Sequence, residues 1–177
     1  VRAETERKPL VLLVGDSMMM EGFGPVLQRT LRKRPDLDVV REGKYSTGLS
    51  RQDYFDWPAQ LEKLVEKYNP DMVVICMGAN DPQDIIDENR KRHHADSESW
   101  KTIYRSRAER LLAVATAKGA KAVWVGLPVM GKEPYSTRVR RLSELQKEAC
   151  ETYHAAFVDT VKVLADGSLV IAQPLMT

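Results

Sequence analysis

A serine stands out in this sequence because its position suits nucleophilic chemistry. Ser17 follows the apolar run 11–14 and the two residues Gly15 and Asp16. A hydroxyl at such a strand-to-helix turn is placed to attack a substrate, and the backbone amides of the turn point to the same spot. The same residues also fit an ordinary turn followed by a helix N-cap, so Ser17 alone does not decide between the two interpretations.

Apolar runs alternate with helical patterns along the chain. Strands are predicted at residues 11–14, 37–41, 71–77, 121–126 and 156–159. Helices are predicted at residues 18–31, 57–68, 99–118 and 137–153. This alternation predicts a five-stranded, mainly parallel, flavodoxin-like sheet with helices on both faces, a three-layer α/β/α sandwich. Ligands of such sheets bind beyond the carboxyl ends of the strands, where Ser17, the loop around Gly48 and Asn80 fall.

The remaining segments are polar or carry turn signals. Residues 1–8 are predicted to be a loose arm, and residues 9–177 to be one domain. Residues 83–99 lack periodicity and are predicted to be a loop on the side of the site. The pair Asp166-Gly167 is a turn signal, so residues 161–171 are predicted to form a small hairpin.

Composition excludes several classes of protein. A chain of 177 residues fits one domain with a sizeable core. Its net charge of +2 is too small to indicate nucleic-acid or anionic-membrane binding, and the chain lacks the run of about 20 apolar residues that spans a membrane. Cys76 and Cys150 are predicted to be buried thiols. Acids and histidines do not cluster at metal-ligand spacing, so we expect no metal and no cofactor.

Three stretches of the sequence together resemble a known family. Gly15-Asp16-Ser17, Ser46-Thr47-Gly48-Leu49 and Gly78-Ala79-Asn80-Asp81 are similar, in this order, to three sequence blocks of the SGNH hydrolases in the GDSL esterase and lipase superfamily. The resemblance covers nearly the whole chain. Three ordered blocks are far more specific than the serine alone.

The resemblance implies roles for individual residues. Ser17 is the expected nucleophile, and the amides of Ser17 and Gly48 and the side chain of Asn80 are the expected donors to a tetrahedral oxyanion. Fixed donors lower the barrier of ester hydrolysis, which agrees with these roles. Asp16, Asp81 and Tyr54 are expected to contact the substrate. We also expect the Asp16 side chain to bind the backbone of its own turn and not to act as the triad acid.

Further stretches narrow the resemblance to a bacterial group. Tyr54-Phe55-Asp56-Trp57-Pro58 and Trp124-Val125-Gly126-Leu127-Pro128 are similar to an exported SGNH group that long carried only a domain-of-unknown-function label. The resemblance implies a periplasmic or otherwise exported esterase. It also implies a small-molecule or glycan ester as substrate, such as an O-acetyl group of a cell-envelope glycan.

The general base is where the sequence departs from the family pattern. In the family, the base is a histidine in an Asp-x-x-His block after the last strand, and His93, His94 and His154 do not stand in that context. Three explanations remain open. The Asp/His segment lies outside the 177 residues, or the protein is a non-catalytic module that binds an acylated ligand, or His93 or His94 replaces the base. His154 is expected to be structural.

Overall fold

The chain folds around one parallel β-sheet. The computed structural model describes residues 7–128 and 132–165. Its strands are β1 (Leu10–Gly15), β2 (Asp38–Gly43), β3 (Met72–Cys76), β4 (Ile85–Ile86), β5 (Arg92–His93), β6 (Lys121–Val125) and β7 (Ala156–Val158). The five-stranded sheet has the order β2-β1-β3-β6-β7, and its four pairings are all parallel. This order confirms the predicted flavodoxin-like sheet.

Helices cover both faces of the sheet. They are α1 (Ser17–Met20), α2 (Phe23–Leu31), α3 (Trp57–Tyr68), α4 (Glu98–Thr116), α5 (Tyr135–Thr152) and α6 (Thr160–Ala165). Along β1, Leu12 and Val14 belong to a core with α3, α4 and α5, whereas Val11 and Leu13 belong to a core with α1 and α2. Successive side chains of a strand point to opposite faces, so one strand contributes to both cores. The predicted three-layer sandwich is confirmed.

The helix predicted at residues 57–68 is confirmed at both ends. Asp56 caps its start by accepting a hydrogen bond from the Ala59 amide at 3.1 Å. Pro58 lies in the first turn, where a missing N–H costs nothing. Asn69 ends the helix in the left-handed conformation, with φ of 45°. Local signals of this kind lie within a few residues of the helix ends, so the sequence is sufficient to place them.

The single helix predicted at residues 18–31 is instead two helices. The first ends at Met20, and Gly22 takes a positive φ of 55° before the second begins. The two helices pack closely, because a Cβ at Gly24 would lie 1.9 Å from the Met19 carbonyl oxygen. The break therefore depends on Gly22 and Gly24. Neither glycine interrupts the apolar pattern of residues 18–31, so that pattern predicts one continuous helix.

The segment predicted as a loop at residues 83–99 contains a small antiparallel hairpin. β4 pairs with β5, and Ile85 is fully buried. The Asp87 carboxyl accepts hydrogen bonds from the Asn89 and Lys91 amides, both at 2.9 Å, and so fixes the turn between the strands. Strands of two residues are too short to show a period of two, which explains why the sequence pattern missed them.

The structure tests only part of the predicted arm at residues 1–8 and of the predicted hairpin at residues 161–171. Residues 1–6 of the predicted arm lie outside the described residues, but Arg7 forms a two-pronged ion pair with Asp71 at 2.8 and 2.9 Å. The hairpin predicted at residues 161–171 is wrong for residues 161–165, which belong to helix α6, and residues 166–171 lie outside the described part. Within residues 7–128 and 132–165, no helix has both the length and the apolar character of a membrane span.

Replacing Gly24 with alanine tests the packing of α2 on α1. The new methyl group would meet the Met19 backbone, so we expect a loss of about 3 kcal/mol in the free energy of unfolding, the upper range for overpacking. The matched control is Gly119→Ala, where nothing lies within 4 Å of the added Cβ and only the positive φ is strained, for an expected loss of about 1 kcal/mol. Urea titration measures both values, and equal losses would contradict the packing.

Candidate active site

Ser17 lies at the turn between β1 and α1, as predicted. It is the first residue of α1, it is partly exposed, and its backbone amide, at the first helical position, has no partner within the helix. The preceding Gly15 is required sterically, because a Cβ there would lie 1.9 Å from the Cys76 carbonyl oxygen. The close contact of β1 with β3 thus fixes the position at which the serine begins its helix.

The Asp16 carboxyl joins this turn to the end of β3. One oxygen accepts a hydrogen bond from the Met18 amide at 2.9 Å, which confirms the expected contact within its own turn. The other oxygen accepts from the Gly78 and Ala79 amides at 3.0 and 3.3 Å. Burial raises the pKa of Asp16, and the amide donors oppose that shift. The side chain is fully buried, so the structure gives it a supporting position in place of the predicted substrate contact.

Gly48 lies on the loop that leaves β2, where its lack of a side chain is used. A Cβ at this position would lie 2.2 Å from the Asp81 Oδ1 atom. The preceding residue, Thr47, is held by two hydrogen bonds of its hydroxyl group, which donates to the Lys44 carbonyl at 2.7 Å and accepts from the Trp57 indole at 2.9 Å. A glycine is therefore required at this position, because the Asp81 carboxyl group lies where a side chain would be.

Asn80 lies on the turn after β3 and contacts the Gly48 loop. Its side-chain amide donates a hydrogen bond to the Thr47 carbonyl at 3.0 Å. The same turn is supported from α5, because the Tyr135 hydroxyl donates to the Ala79 carbonyl at 2.6 Å. The three predicted positions Ser17, Gly48 and Asn80 therefore lie on three turns that are connected by hydrogen bonds.

Asp81 lies beneath these turns and not on the surface. Its carboxyl accepts hydrogen bonds from the Ser50 amide at 2.8 Å and from the Tyr104 hydroxyl at 3.0 Å. The Ser50 hydroxyl in turn donates to the Asp81 backbone carbonyl at 2.8 Å. Burial raises the pKa of Asp81, with the Ser50 amide as the main opposing contact. The side chain has no exposed surface, so the predicted substrate contact is replaced by a role in holding the Gly48 loop.

Two supporting residues were missed by sequence reasoning. The Gln146 side-chain amide donates to the Met77 carbonyl and to the Tyr104 hydroxyl, both at 3.0 Å. Its Oε1 atom has no partner among the described residues, a cost of about 1–3 kcal/mol for a buried acceptor. A signal was present, because Gln146 is a polar residue on the same face of the predicted helix as Leu142 and Ala149.

Tyr54 lies on the Gly48 loop with 55% of its surface exposed. Its predicted contact with substrate stays a prediction. A second exposed tyrosine of the loop, Tyr45, donates a hydrogen bond to the Glu21 carboxylate at 2.7 Å. Trp57 and Trp100, in contrast, are buried.

The three histidines differ in their surroundings. His93 is buried and uses both ring nitrogens, one with Ser99 at 2.9 Å and one with Asp87 at 3.1 Å. His94 has a side chain that is 78% exposed and pairs through Nδ1 with Asp84 at 3.2 Å. His154 precedes β7 and so lies at the amino end of the parallel sheet, opposite the edge of Ser17.

The part of the chain that the structure describes contains neither a candidate metal site nor a reactive cysteine. No group of three or more acid, histidine or cysteine side chains there could hold a metal ion. Cys76 and Cys150 are unpaired and buried, as predicted. Burial raises the pKa of each thiol to about 12, so neither is a reactive thiolate near neutral pH.

Comparison with protein families gives one match over most of the chain. A model of the family described as "Protein of unknown function (DUF459)" matches residues 10–172. Among curated proteins, none matches the sequence significantly.

Solved structures with this fold include several hydrolases. LAE5, described as an alpha/beta hydrolase enzyme from the metagenome of Lake Arreo, Spain, aligns with a TM-score of 0.68 at 16% identity, covering 94% of this chain and 83% of that chain. Axe2, an acetylxylan esterase from Geobacillus stearothermophilus, gives 0.64 at 20% identity, with 91% and 81% covered. AlinE4, described as an SGNH-hydrolase family esterase, gives 0.64 at 13% identity, with 97% and 86% covered. At these identities the likeness establishes the fold, which is that of the SGNH hydrolases.

Replacing Asp81 with asparagine tests the burial of its carboxyl group. Because the pKa of Asp81 is raised above the ordinary value of 3.8, the folded protein holds this proton more tightly than the unfolded chain. The stability that the group contributes is complete below about pH 4 and is lost as the pH rises through the raised pKa. We therefore expect the unfolding free energy of the wild type, relative to Asp81→Asn, to decrease as the pH rises above about 4. A constant difference in urea titrations, or one that grows with pH, would contradict this.

Proposed function

This chain belongs to the family of proteins of unknown function DUF459, and we propose that it is a serine esterase of the SGNH type. In this proposal, Ser17 attacks the carbonyl carbon of an ester. The backbone amides of Ser17 and Gly48 and the carboxamide of Asn80 bind the oxyanion that results. No cofactor or metal takes part.

The hydrogen bonds that connect the three turns are the observation that carries the proposal. The Asp16 carboxyl joins the turn of Ser17 to the turn after β3, and Asn80 joins that turn to Thr47, the neighbour of Gly48. The turns follow β1, β2 and β3, which are adjacent in the sheet. Among the described residues, the Asn80 amide group makes only this one hydrogen bond, so its second N–H is left for a substrate oxygen.

The chemistry proceeds in two acyl-transfer steps. Attack by the Ser17 Oγ atom moves the carbonyl π electrons onto oxygen, and the donors stabilise that negative charge. Loss of one such donor typically costs about 10²–10³ in rate. Collapse of the intermediate expels the alcohol, which takes up a proton, and leaves an acyl-serine. Water then attacks the same carbon, releases the acid and restores the Ser17 hydroxyl.

A base must accept the proton of Ser17, and the structure narrows the choice. His93 has no free ring nitrogen, and His154 lies at the wrong edge of the sheet. We place the base in an Asp/His pair outside the 177 residues. The pair of Asp84 and His94 is the alternative, since Asp84 binds Nδ1 and leaves Nε2 exposed, as an Asp-oriented base requires. Two structures of Axe2 are described as catalytic mutants, one with an aspartate and one with a histidine replaced by alanine.

The proposed substrate is an O-acetyl ester of a cell-envelope glycan, and the proposed location is the periplasm or another exported site. The description of Axe2 as an acetylxylan esterase supports an acetylated sugar. The exposed rings of Tyr45 and Tyr54 on the Gly48 loop provide apolar faces of the kind that sugars pack against. Location rests on the resemblance to exported bacterial relatives.

A binding module without turnover is the second candidate function. It is favoured by the engagement of His93 with Ser99 and Asp87, which leaves the oxyanion pocket without that base. Hydrolysis by the purified 177-residue chain, lost in a Ser17→Ala variant, would contradict it. An Asp-x-x-His sequence in the gene after the codon for Thr177 would favour the enzyme.

Replacing Ser17 with alanine tests the nucleophile. We expect turnover of p-nitrophenyl acetate by the full-length protein to fall by at least about 10³-fold, because water alone then attacks the ester. Spectrophotometric release of p-nitrophenol measures the rate. A His94→Ala variant is assayed beside it, and an unchanged rate there excludes the alternative base. Equal rates in the wild type and the Ser17→Ala variant would exclude Ser17 as nucleophile.

Replacing Asn80 with alanine tests the oxyanion donor. We expect kcat to fall about 10²–10³-fold with a much smaller change in KM, because the lost N–H acts on the transition state more than on the bound ester. Asn89→Ala is the matched control, since Asn89 is an exposed residue of the β4–β5 turn. A loss confined to KM, or a similar loss in the control, would be evidence against the role of Asn80.

A further inference from the structure

One peptide unit next to Gly48 is held from both sides. The carbonyl of Leu49 accepts a hydrogen bond from the Arg107 Nη1 atom at 2.7 Å. The amide of Ser50, in the same peptide unit, donates to the Asp81 carboxyl at 2.8 Å. The C=O and N–H bonds of a trans peptide point in opposite directions. The Leu49–Ser50 peptide is therefore clamped between a guanidinium group and a carboxyl group.

Arg107 also binds the Ser50 carbonyl, which holds the loop more firmly. The same Nη1 atom also donates to the Ser50 carbonyl at 3.0 Å, so one nitrogen binds two successive carbonyls of the loop. The arginine is half-buried, where a charge-assisted hydrogen bond is stronger than one in water.

Helix α4 supplies both sides of the clamp. Tyr104 and Arg107 are three residues apart, so they lie on one face of the helix. Tyr104 donates its hydroxyl to the Asp81 carboxyl, and Arg107 binds the loop directly. A movement of α4 or of the loop would break contacts on both sides of the peptide at once.

We propose that Arg107 is a positioning residue for the esterase reaction, because it fixes the Leu49–Ser50 peptide and thereby the direction of the neighbouring Gly48 amide. This inference rests on the proposed function. Arg107 does not contact the reacting atoms, and its effect is transmitted through two backbone carbonyls. An amide that is displaced by a fraction of its hydrogen-bond length no longer aims at the oxyanion, although the loop still folds.

Three variants of the full-length protein test the proposal. Arg107→Met keeps the aliphatic part of the side chain and removes the donor. Arg107→Lys retains one charged donor, which is sufficient because both carbonyls accept from a single nitrogen. Arg110→Met, at an exposed position of the same helix, is the matched control. The measurements are hydrogen exchange of the backbone amides of residues 48–51 and the kcat and KM of p-nitrophenyl acetate hydrolysis.

We expect Arg107→Met to increase amide exchange at residues 48–51 and to lower kcat about 10- to 100-fold with KM nearly unchanged, as a small misplacement of a catalytic group does. Arg107→Lys should restore most of both, and Arg110→Met should change neither. Unchanged exchange in Arg107→Met overturns the clamp whatever the activity. Increased exchange with unchanged kcat overturns the positioning role. If no form hydrolyses esters, the proposed function has failed, and the catalytic part of this inference with it, while the exchange data still decide the clamp.

Discussion

Two buried carboxyl groups hold the turns of the candidate site in place. Asp16 accepts hydrogen bonds from amides on two different turns, and Asp81 accepts from the loop of Gly48 and from helix α4. At the end of a strand, backbone amides lose their partners in the sheet and need other acceptors. A buried carboxyl without such donors costs on the order of several kcal/mol. The turns and the acids are therefore stable only in combination, which fixes the position of each turn relative to the others.

The glycine at position 48 shows how far sequence reasoning reaches. The residue type alone predicts that a backbone approaches something closely there, and the structure confirms this. The atom that comes close is the Oδ1 of Asp81, at a place where the sequence predicts substrate. Asp81 lies far from Gly48 along the chain, and only the adjacency of β1, β2 and β3 brings the two together. Spacing in a sequence does not carry that information.

The elements that have a signal in their own sequence were predicted, and the β4–β5 hairpin, which has none, was not. The helix at Trp57–Tyr68 has an N-cap, a proline and a left-handed end residue within its own sequence. The β4–β5 hairpin has no comparable signal, since its strands owe their existence to the buried Ile85 and to the bonds of Asp87. Tyr104 and Gln146 lie on helix faces that are otherwise apolar. The partners of their polar atoms, the Asp81 carboxyl and the Tyr104 hydroxyl, are set by tertiary packing, which the sequence pattern does not show.

The hydrogen bonds of Asp16 also decide whether it could serve as the acid of a catalytic triad. Asp16 precedes Ser17, yet three backbone amides occupy its two oxygens, and it is fully buried. It therefore cannot orient a histidine, and the acid and the base of a serine hydrolase must come from another segment. The hydrogen bonds that connect the turns after β1, β2 and β3 are made by Asp16, Asn80 and Asp81, which all lie on these turns. This arrangement of turns is compatible with an enzyme and with a binding module alike, so the origin of the base, more than the turns, distinguishes the two functions.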